Sequence, residues 1–213
     1  MELYFKPLAC SMATRIALYE AGADAAYFEV DPKTKLVQQN NTDFVTINPL
    51  GMVPALRTDD GDILTENAAI LQHVADSFPD AKLNGQTAQE RSRIHQWLCF
   101  IGTELHKSLF NPLLDPKAPS EMKKYVLEKN LSLLDYLNKH LAGREYLLNR
   151  FTVADAYLFT VLNWSMATPQ IDIAKWPNVM NYRERLRQRP SIVKAFGDEF
   201  KLYQAEQDRR AHV

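Results

Sequence analysis

Strand patterns are confined to the first eighty or so residues, and this asymmetry restricts the fold more than any other feature of the chain. Short runs with strand character occur at 3–5, 26–30, 53–57 and 63–65, and helical patterns occur at 11–21 and 66–78. The Asp-Asp-Gly-Asp segment at 59–62 predicts a hairpin between the last two strands. The resulting order, βαβ followed by ββα, predicts a compact α/β module.

Strand signals disappear after this module. Residues 79–85 read as a break, and helical patterns then cover 87–110, 120–141, 152–167, 176–188 and 190–202, punctuated by prolines. We therefore expect an α/β domain at 1–80, a linker at 81–87 and an all-α domain at 88–213.

Composition excludes several classes of function. The 213 residues are 46% hydrophobic with a formal net charge of -1, which supplies no electrostatic reason to expect nucleic acid or a membrane as partner. Two cysteines are too few for a disulfide scaffold and fit a reducing compartment. The N-terminus has no basic segment followed by a long apolar run, so we expect no signal peptide and a cytoplasmic location.

One helix start is unusually explicit. Phe151-Thr152-Val153-Ala154-Asp155 has the spacing of a capping box, with Thr152 as N-cap and Asp155 three residues later. The apolar residues that follow predict a helix buried on most sides. This motif concerns folding and indicates no chemistry.

Cys10 is the first candidate for chemistry. It lies between the first strand and a helix that begins near Ser11, where free N–H groups and the helix dipole favour a thiolate. A lone cysteine is also a common space-filling residue, so this position alone does not decide the matter.

Two further segments suggest a binding site. Val53-Pro54 precedes a strand, where a cis peptide would expose backbone groups to a ligand, although trans is the more frequent isomer. Thr65-Glu66-Asn67 opens a helix, whose N-terminal amides can bind an anionic group.

These segments together resemble the cytosolic glutathione transferase family, most closely its bacterial beta class. The resemblance is carried by Ala9-Cys10-Ser11, Asn48-Pro49, Val53-Pro54, Thr65-Glu66-Asn67, 104–107 and 151–159, in the same order over nearly the whole chain. It implies a thioredoxin-like N-terminal domain (βαβ-ββα), an all-helical C-terminal domain, a homodimer, glutathione as co-substrate and no metal.

The resemblance also implies roles for individual residues. Cys10, Ser11 and His106 would stabilise the glutathione thiolate, which attacks a small, largely apolar electrophile. The residues implied to contact glutathione are Lys35, Met52, Val53, Pro54, Glu66, Asn67, Cys99, Thr103, Glu104 and Lys107. From sequence alone, Lys35 is more typical of a solvated loop lysine than of a carboxylate-binding residue.

His106 can be placed by helical periodicity as well. Ile94, Trp97, Leu98, Ile101 and Leu105 form one apolar face, and a step of 100° per residue puts His95, Cys99, Thr103 and His106 on the opposite face. We therefore expect His106 to lie off the core, either exposed to solvent or, as the resemblance implies, facing the glutathione thiol.

Two positions depart from the beta-class pattern, which usually has Asn where this chain has Cys99 and often has Tyr where it has Phe5. Cys99 could weaken glutathione binding, act as a second reactive thiol, or be a plain small-residue replacement.

Two other functions stay open at this point. The chain could be a glutathione-dependent redox or lyase enzyme that uses Cys10 covalently, or a non-catalytic dimer that binds glutathione or apolar molecules. The absence of a second cysteine in Cys10-Ser11-Met12-Ala13 disfavours dithiol exchange.

Overall fold

The structure is a computed structural model and describes residues 1–211 of the chain. Contacts divide it into two compact units, one formed by Met1–Leu83 together with the C-terminal helix from Arg189 on, and the other by Asn84–Gln188. None of the helices in the described part of the chain is long and apolar enough to cross a lipid bilayer.

The first unit is built on a mixed four-stranded sheet. Its strands are β1 (Glu2–Phe5), β2 (Ala26–Glu29), β3 (Ala55–Arg57) and β4 (Ile63–Thr65), in the spatial order β2-β1-β3-β4. β1 pairs parallel to β2 and antiparallel to β3, and β3 pairs antiparallel to β4 across the predicted hairpin. This sheet confirms the predicted thioredoxin-like arrangement.

Three helices pack in this unit, namely α1 (Met12–Glu20), α2 (Asn67–Ser77) and α9 (Pro190–Ala211). The parallel β1–α1–β2 crossover requires an intervening helix, and α1 supplies it with an entirely buried stretch from Met12 to Leu18. A short 3₁₀ turn at Phe44–Thr46 places Phe44 in a small core with Tyr4, Val30 and Val37.

The last helix, α9, differs from the expected domain scheme. The sequence grouped residues 88–213 into one helical domain, whereas α9 packs on α1 within the first unit. Its buried Glu199 pairs with Arg15 of α1, a contact that no local pattern reveals. The linker predicted at 81–87 stays a prediction.

The second unit consists of helices in its described residues. They are α3 (Ala88–Phe100), a π-helical segment (Ile101–Phe110), α4 (Asn111–Leu114), α5 (Ser120–Asn130), α6 (Ser132–His140), α7 (Val153–Asn163) and α8 (Pro177–Leu186). α3, the π-helical segment and α4 follow one another without a break. Every residue of α7 is buried, as its apolar composition predicts.

The capping box of α7 is confirmed. Asp155 accepts hydrogen bonds from the backbone N–H and the hydroxyl of Thr152, at 2.9 and 3.0 Å. The same carboxylate accepts from the Leu147 N–H at 2.9 Å and from the Tyr182 hydroxyl at 2.7 Å. Asp155 therefore joins the start of α7 to the preceding loop and to α8, and burial raises its pKa.

Candidate functional site

Cys10 lies in the turn between β1 and α1 of the first unit and is partly buried. Its Sγ is 3.5 Å from the carbonyl oxygen of Val53, and its own carbonyl accepts a hydrogen bond from Nδ2 of Asn67 at 3.2 Å. The three segments that the sequence singled out, around Cys10, Val53 and Asn67, thus meet at one place in the structure. Val53 and Asn67 are 43 and 57 positions from Cys10 in the sequence and contact it directly in the structure.

Ser11 supports the shape of this turn. Its hydroxyl donates to the Lys6 carbonyl at 3.2 Å and accepts from the Lys6 N–H at 3.3 Å, and the residue has no exposed surface. Both hydrogen-bonding functions of the hydroxyl are therefore used by the backbone. A direct interaction of Ser11 with a glutathione sulfur stays a prediction.

The segment 48–54 has a defined backbone. Asn48 donates from Nδ2 to the Met52 carbonyl at 2.7 Å and accepts at Oδ1 from the Leu50 N–H at 3.2 Å. The Val53–Pro54 peptide is cis, against the more frequent isomer that the sequence favours. Met52 is 59% exposed, whereas Pro54 is buried at the start of β3.

Lys35 reaches the same segment. Its ammonium donates to the Gly51 carbonyl at 3.0 Å, so it is not a freely solvated loop lysine. The positive φ of Gly51, 59°, shows why glycine is suited to this turn. The aliphatic part of Lys35 lies 3.6 Å from where a Cβ on Gly51 would lie, so the Lys35 side chain packs against this turn.

The start of α2 presents one exposed and one buried candidate. Glu66 precedes the helix with a φ of 63°, and its side chain is exposed without capping α2. Asn67 is buried, and its Oδ1 accepts from the Thr14 hydroxyl at 3.0 Å while its Nδ2 binds the Cys10 carbonyl. Asn67 therefore fixes the Cys10 turn against α1 and α2.

His106 lies in the interior of the second unit, where it is 8% exposed. Its Nδ1 is 2.8 Å from the Tyr157 hydroxyl, and its ring meets Trp164 edge to face with 4.8 Å between centroids. Of the two alternatives for His106, exposure to solvent is wrong, because the side chain is buried whereas Cys99 and Thr103 are exposed. That His106 faces the glutathione thiol stays a prediction.

The reason for the burial of His106 is the π-helical segment Ile101–Phe110. Its hydrogen bonds reach the fifth residue back, as from the Asn111 N–H to the His106 carbonyl, so each turn holds more residues than in an α-helix. The 100° step used for α3 no longer applies beyond Phe100. Such segments often occur at functional sites of helical proteins.

Burial lowers the pKa of His106 to about 4, with a further contribution from the nearby positive charge of Lys107. At neutral pH the imidazole is therefore uncharged, and the exposed Lys107 is the cation of this pair. His106 can exchange hydrogen bonds but does not supply a positive charge.

The remaining predicted residues of the second unit form a small surface group. Cys99 is exposed and has a free thiol, and its carbonyl accepts from the Thr103 hydroxyl at 3.0 Å. The Thr103 hydroxyl also lies 2.9 Å from a carboxylate oxygen of Glu104. The Thr103 hydroxyl thus lies between the Cys99 carbonyl and the Glu104 carboxylate.

The sequence assigned no role to three residues that contact the candidates or the turn that carries Cys10. Tyr157 and Trp164 contact His106, and Glu199 accepts a hydrogen bond from the Leu8 N–H at 2.7 Å, two residues before Cys10. Burial raises the pKa of Glu199 to about 7. The sequence signal for Glu199 was a charged residue within the apolar face of α9. That signal could not identify Leu8 as its partner, because Leu8 is 191 positions away.

Comparison with known proteins identifies the family. Residues 1–76 match the glutathione S-transferase N-terminal domain, and residues 96–190 match the C-terminal domain. The chain is 40% identical over 201 residues to glutathione S-transferase GstA of Escherichia coli O157:H7, covering 93% of this chain and 98% of that protein.

Solved structures agree. A sphingomonad glutathione S-transferase complexed with glutathione is similar with a TM-score of 0.88 and 40% identity, over 93% of this chain and 98% of that one. A beta-class transferase of Sphingomonas chungbukensis has the same TM-score and coverage at 41% identity. With both domains matched and bacterial beta-class enzymes among its neighbours, the chain belongs to the glutathione S-transferase family.

Proposed function

We propose that this enzyme binds glutathione at the Cys10 turn and activates its thiol for attack on small, largely apolar electrophiles. The observation that supports this most is that Val53 and Asn67 both contact Cys10. The Cys10 Sγ lies 3.5 Å from the Val53 carbonyl oxygen, and Nδ2 of Asn67 lies 3.2 Å from the Cys10 carbonyl oxygen. A similar sphingomonad enzyme was solved with glutathione bound.

Each part of glutathione has a candidate partner in the first unit. The backbone of Val53, between Met52 and Pro54, would pair with that of the cysteinyl residue in the manner of an added strand. Glu66 and the first turn of α2 would bind the γ-glutamyl end, since Glu66 can pair with its ammonium and the helix amides with its carboxylate. Lys35 would face the glycyl carboxylate as a point charge.

The chemistry follows from the position of the cysteine. The glutathione thiol gives its proton to solvent water, and the anion is stabilised by a hydrogen bond from the Cys10 thiol and by the partial positive charge at the start of α1. For the Ser11 hydroxyl to donate to the anion as well, it would have to release the Lys6 carbonyl. The sulfur then attacks an electrophilic carbon, forming a C–S bond while the leaving group departs with its electron pair. Cys10 is not consumed in this sequence.

Roles for the second unit are part of the same proposal. Cys99, Thr103, Glu104, His106 and Lys107 are proposed contacts of glutathione by their match to the beta-class pattern. A homodimer and a cytoplasmic location are proposed on the same ground.

The role of Cys10 is tested by replacing it with alanine. We expect Cys10→Ala to keep measurable conjugation of glutathione to 1-chloro-2,4-dinitrobenzene, at a rate lowered by about tenfold, because one donor to the thiolate is lost. Cys10→Ser, which keeps a donor, should lie between alanine and the parent.

Complete loss of conjugation in both variants would contradict this mechanism and favour a covalent role for Cys10. If the parent binds glutathione but converts no electrophile, the chain is a binding protein instead. No binding of glutathione at millimolar concentration in calorimetry would overturn the proposal as a whole.

The role of Lys35 is tested by a matched pair on one loop. Lys35→Gln should weaken glutathione binding about fivefold in calorimetry, since a partly desolvated ion pair contributes about 1 kcal/mol. Lys33→Gln removes an exposed lysine two positions away and should leave the affinity unchanged. Equal effects of both substitutions would contradict a specific role for Lys35.

A further inference from the structure

A carboxylate of the C-terminal helix is built into the turn that carries Cys10. Glu199 of α9 has no exposed surface, and its Oε2 accepts a hydrogen bond from the Leu8 N–H at 2.7 Å. Its Oε1 accepts from Nε of Arg15 at 2.9 Å. One side chain thus connects α9 to the turn before Cys10 and to α1 after it.

The turn needs such an anchor at Leu8. Leu8 has a φ of 58°, in the left-handed region that costs a non-glycine residue about 1 kcal/mol or more. Oε2 of Glu199 accepts from the Leu8 N–H whether or not the carboxyl group is ionised, which matters because burial raises the pKa of Glu199 to about 7. Loss of this acceptor removes an interaction that holds the strained residue two positions before Cys10.

Arg15 binds the other carboxylate oxygen of Glu199, Oε1. Its guanidinium carbon lies 4.2 Å from the ring centre of Phe5 and 4.1 Å from that of Tyr27, and its Nη1 donates to the Tyr19 hydroxyl at 3.3 Å. The arginine is 4% exposed, so it cannot follow a displaced partner without leaving its stacked position. The carboxylate is therefore held in one orientation towards Leu8.

We propose that Glu199 is a positioning residue that holds the Cys10 turn in its reactive conformation through the Leu8 N–H. The inference rests on the proposed function only in taking Cys10 as a residue of the site. It adds that the C-terminal helix, far from Cys10 in the sequence, sets the environment of the Cys10 thiol.

The main experiment measures thiol reactivity and needs no glutathione. Alkylation by iodoacetamide is followed for each cysteine by peptide mass spectrometry, with the exposed Cys99 in the second unit as internal reference. We expect the Cys10-to-Cys99 rate ratio of the parent to differ from one. In Glu199→Ala the ratio should move at least threefold towards one, and the pH–rate profile of Cys10 should approach that of Cys99.

Two matched variants separate positioning from general stability. Glu199→Gln keeps an oxygen that can accept from the Leu8 N–H, so its ratio should stay within twofold of the parent even if it unfolds more readily in urea. Glu206→Ala removes another buried carboxylate of α9, two turns further on, which pairs with Arg210 of the same helix. It should leave the ratio unchanged.

A parent ratio of one, an unchanged ratio in Glu199→Ala, or an equal change in Glu206→Ala would overturn the inference. Hydrogen exchange of the parent provides a test that does not depend on a variant folding. The Leu8 amide should exchange as slowly as the amides of α9 around residue 199, and fast exchange at Leu8 would also overturn the inference. Neither measurement uses glutathione. A result that overturns the role of Glu199 is therefore distinct from a result that overturns glutathione binding.

Discussion

At the scale of single residues, the protein places its polar groups by contacts between distant parts of the chain. His106 and Tyr157 are 51 positions apart and share a hydrogen bond of 2.8 Å, and Leu8 and Glu199 are 191 positions apart. Only the local pair Thr152 and Asp155 was predicted from spacing, because a capping box depends on one turn of helix. The sequence identified His106 by its match to a family pattern and left open whether its side chain is exposed to solvent or faces the site.

The buried imidazole makes stability depend on pH. The pKa of His106 is about 4 in the folded protein, against a usual value of 6.5. Between these two values the unfolded chain binds more protons, so the free energy of unfolding falls as the pH is lowered from 6.5 to 4. The total loss from this group is about 3 kcal/mol, since one pKa unit corresponds to about 1.4 kcal/mol.

The measurement is urea unfolding between pH 4 and pH 7 for the parent and for His106→Asn, which cannot take up this proton. The parent should lose about 3 kcal/mol more than the variant over that range. Glu199, whose raised pKa acts in the opposite direction, is common to both proteins and cancels in the comparison. Identical pH dependence of the two proteins would show that His106 is not the buried base described here.

At the scale of secondary-structure elements, the sequence predicted where helices and strands lie but not every kind of helix. The helix expected at 87–110 begins as α3 and continues as the π-helical segment Ile101–Phe110. The pattern expected at 120–141 is divided at Leu131 into α5 and α6. Hydrophobic periodicity detects a buried face, whereas the hydrogen-bond pattern within the helix depends on what packs against it.

Two glycines test how tightly the elements are packed. A Cβ on Gly85, just before α3, would lie 2.3 Å from the backbone nitrogen of Arg91, which the first turn of that helix cannot avoid. Gly85→Ala should therefore lower the free energy of unfolding by about 2–3 kcal/mol, as in other overpacked sites.

Gly197 is the matched control. It lies inside α9, and a Cβ there would meet no atom within 4 Å. Gly197→Ala should raise stability by about 0.5–1 kcal/mol, because alanine has the higher helix propensity. Urea denaturation followed by circular dichroism measures both changes. A Gly85→Ala protein as stable as the parent would contradict the packing described before α3.

At the scale of the whole molecule, the homodimer proposed above is an assembly that a single chain does not display. The proposed homodimer predicts a mass twice that of one chain in light scattering. It also predicts that the midpoint of thermal unfolding rises with protein concentration, since association stabilises only the folded state. The mass of a single chain at micromolar concentration, with a midpoint independent of concentration, would contradict the dimer.

The sequence by itself determined the order of strands and helices, the capping box at Thr152 and Asp155, and the family, because these depend on local periodicity and on motifs in a fixed order. Only the tertiary structure decided that α9 packs on α1, that His106 is buried and uncharged, and that Glu199 binds the Leu8 N–H. Such contacts depend on which distant side chains pack against one another, and the resulting burial shifts the pKa of each group. The spacing of residues in the sequence determines neither the packing nor the burial.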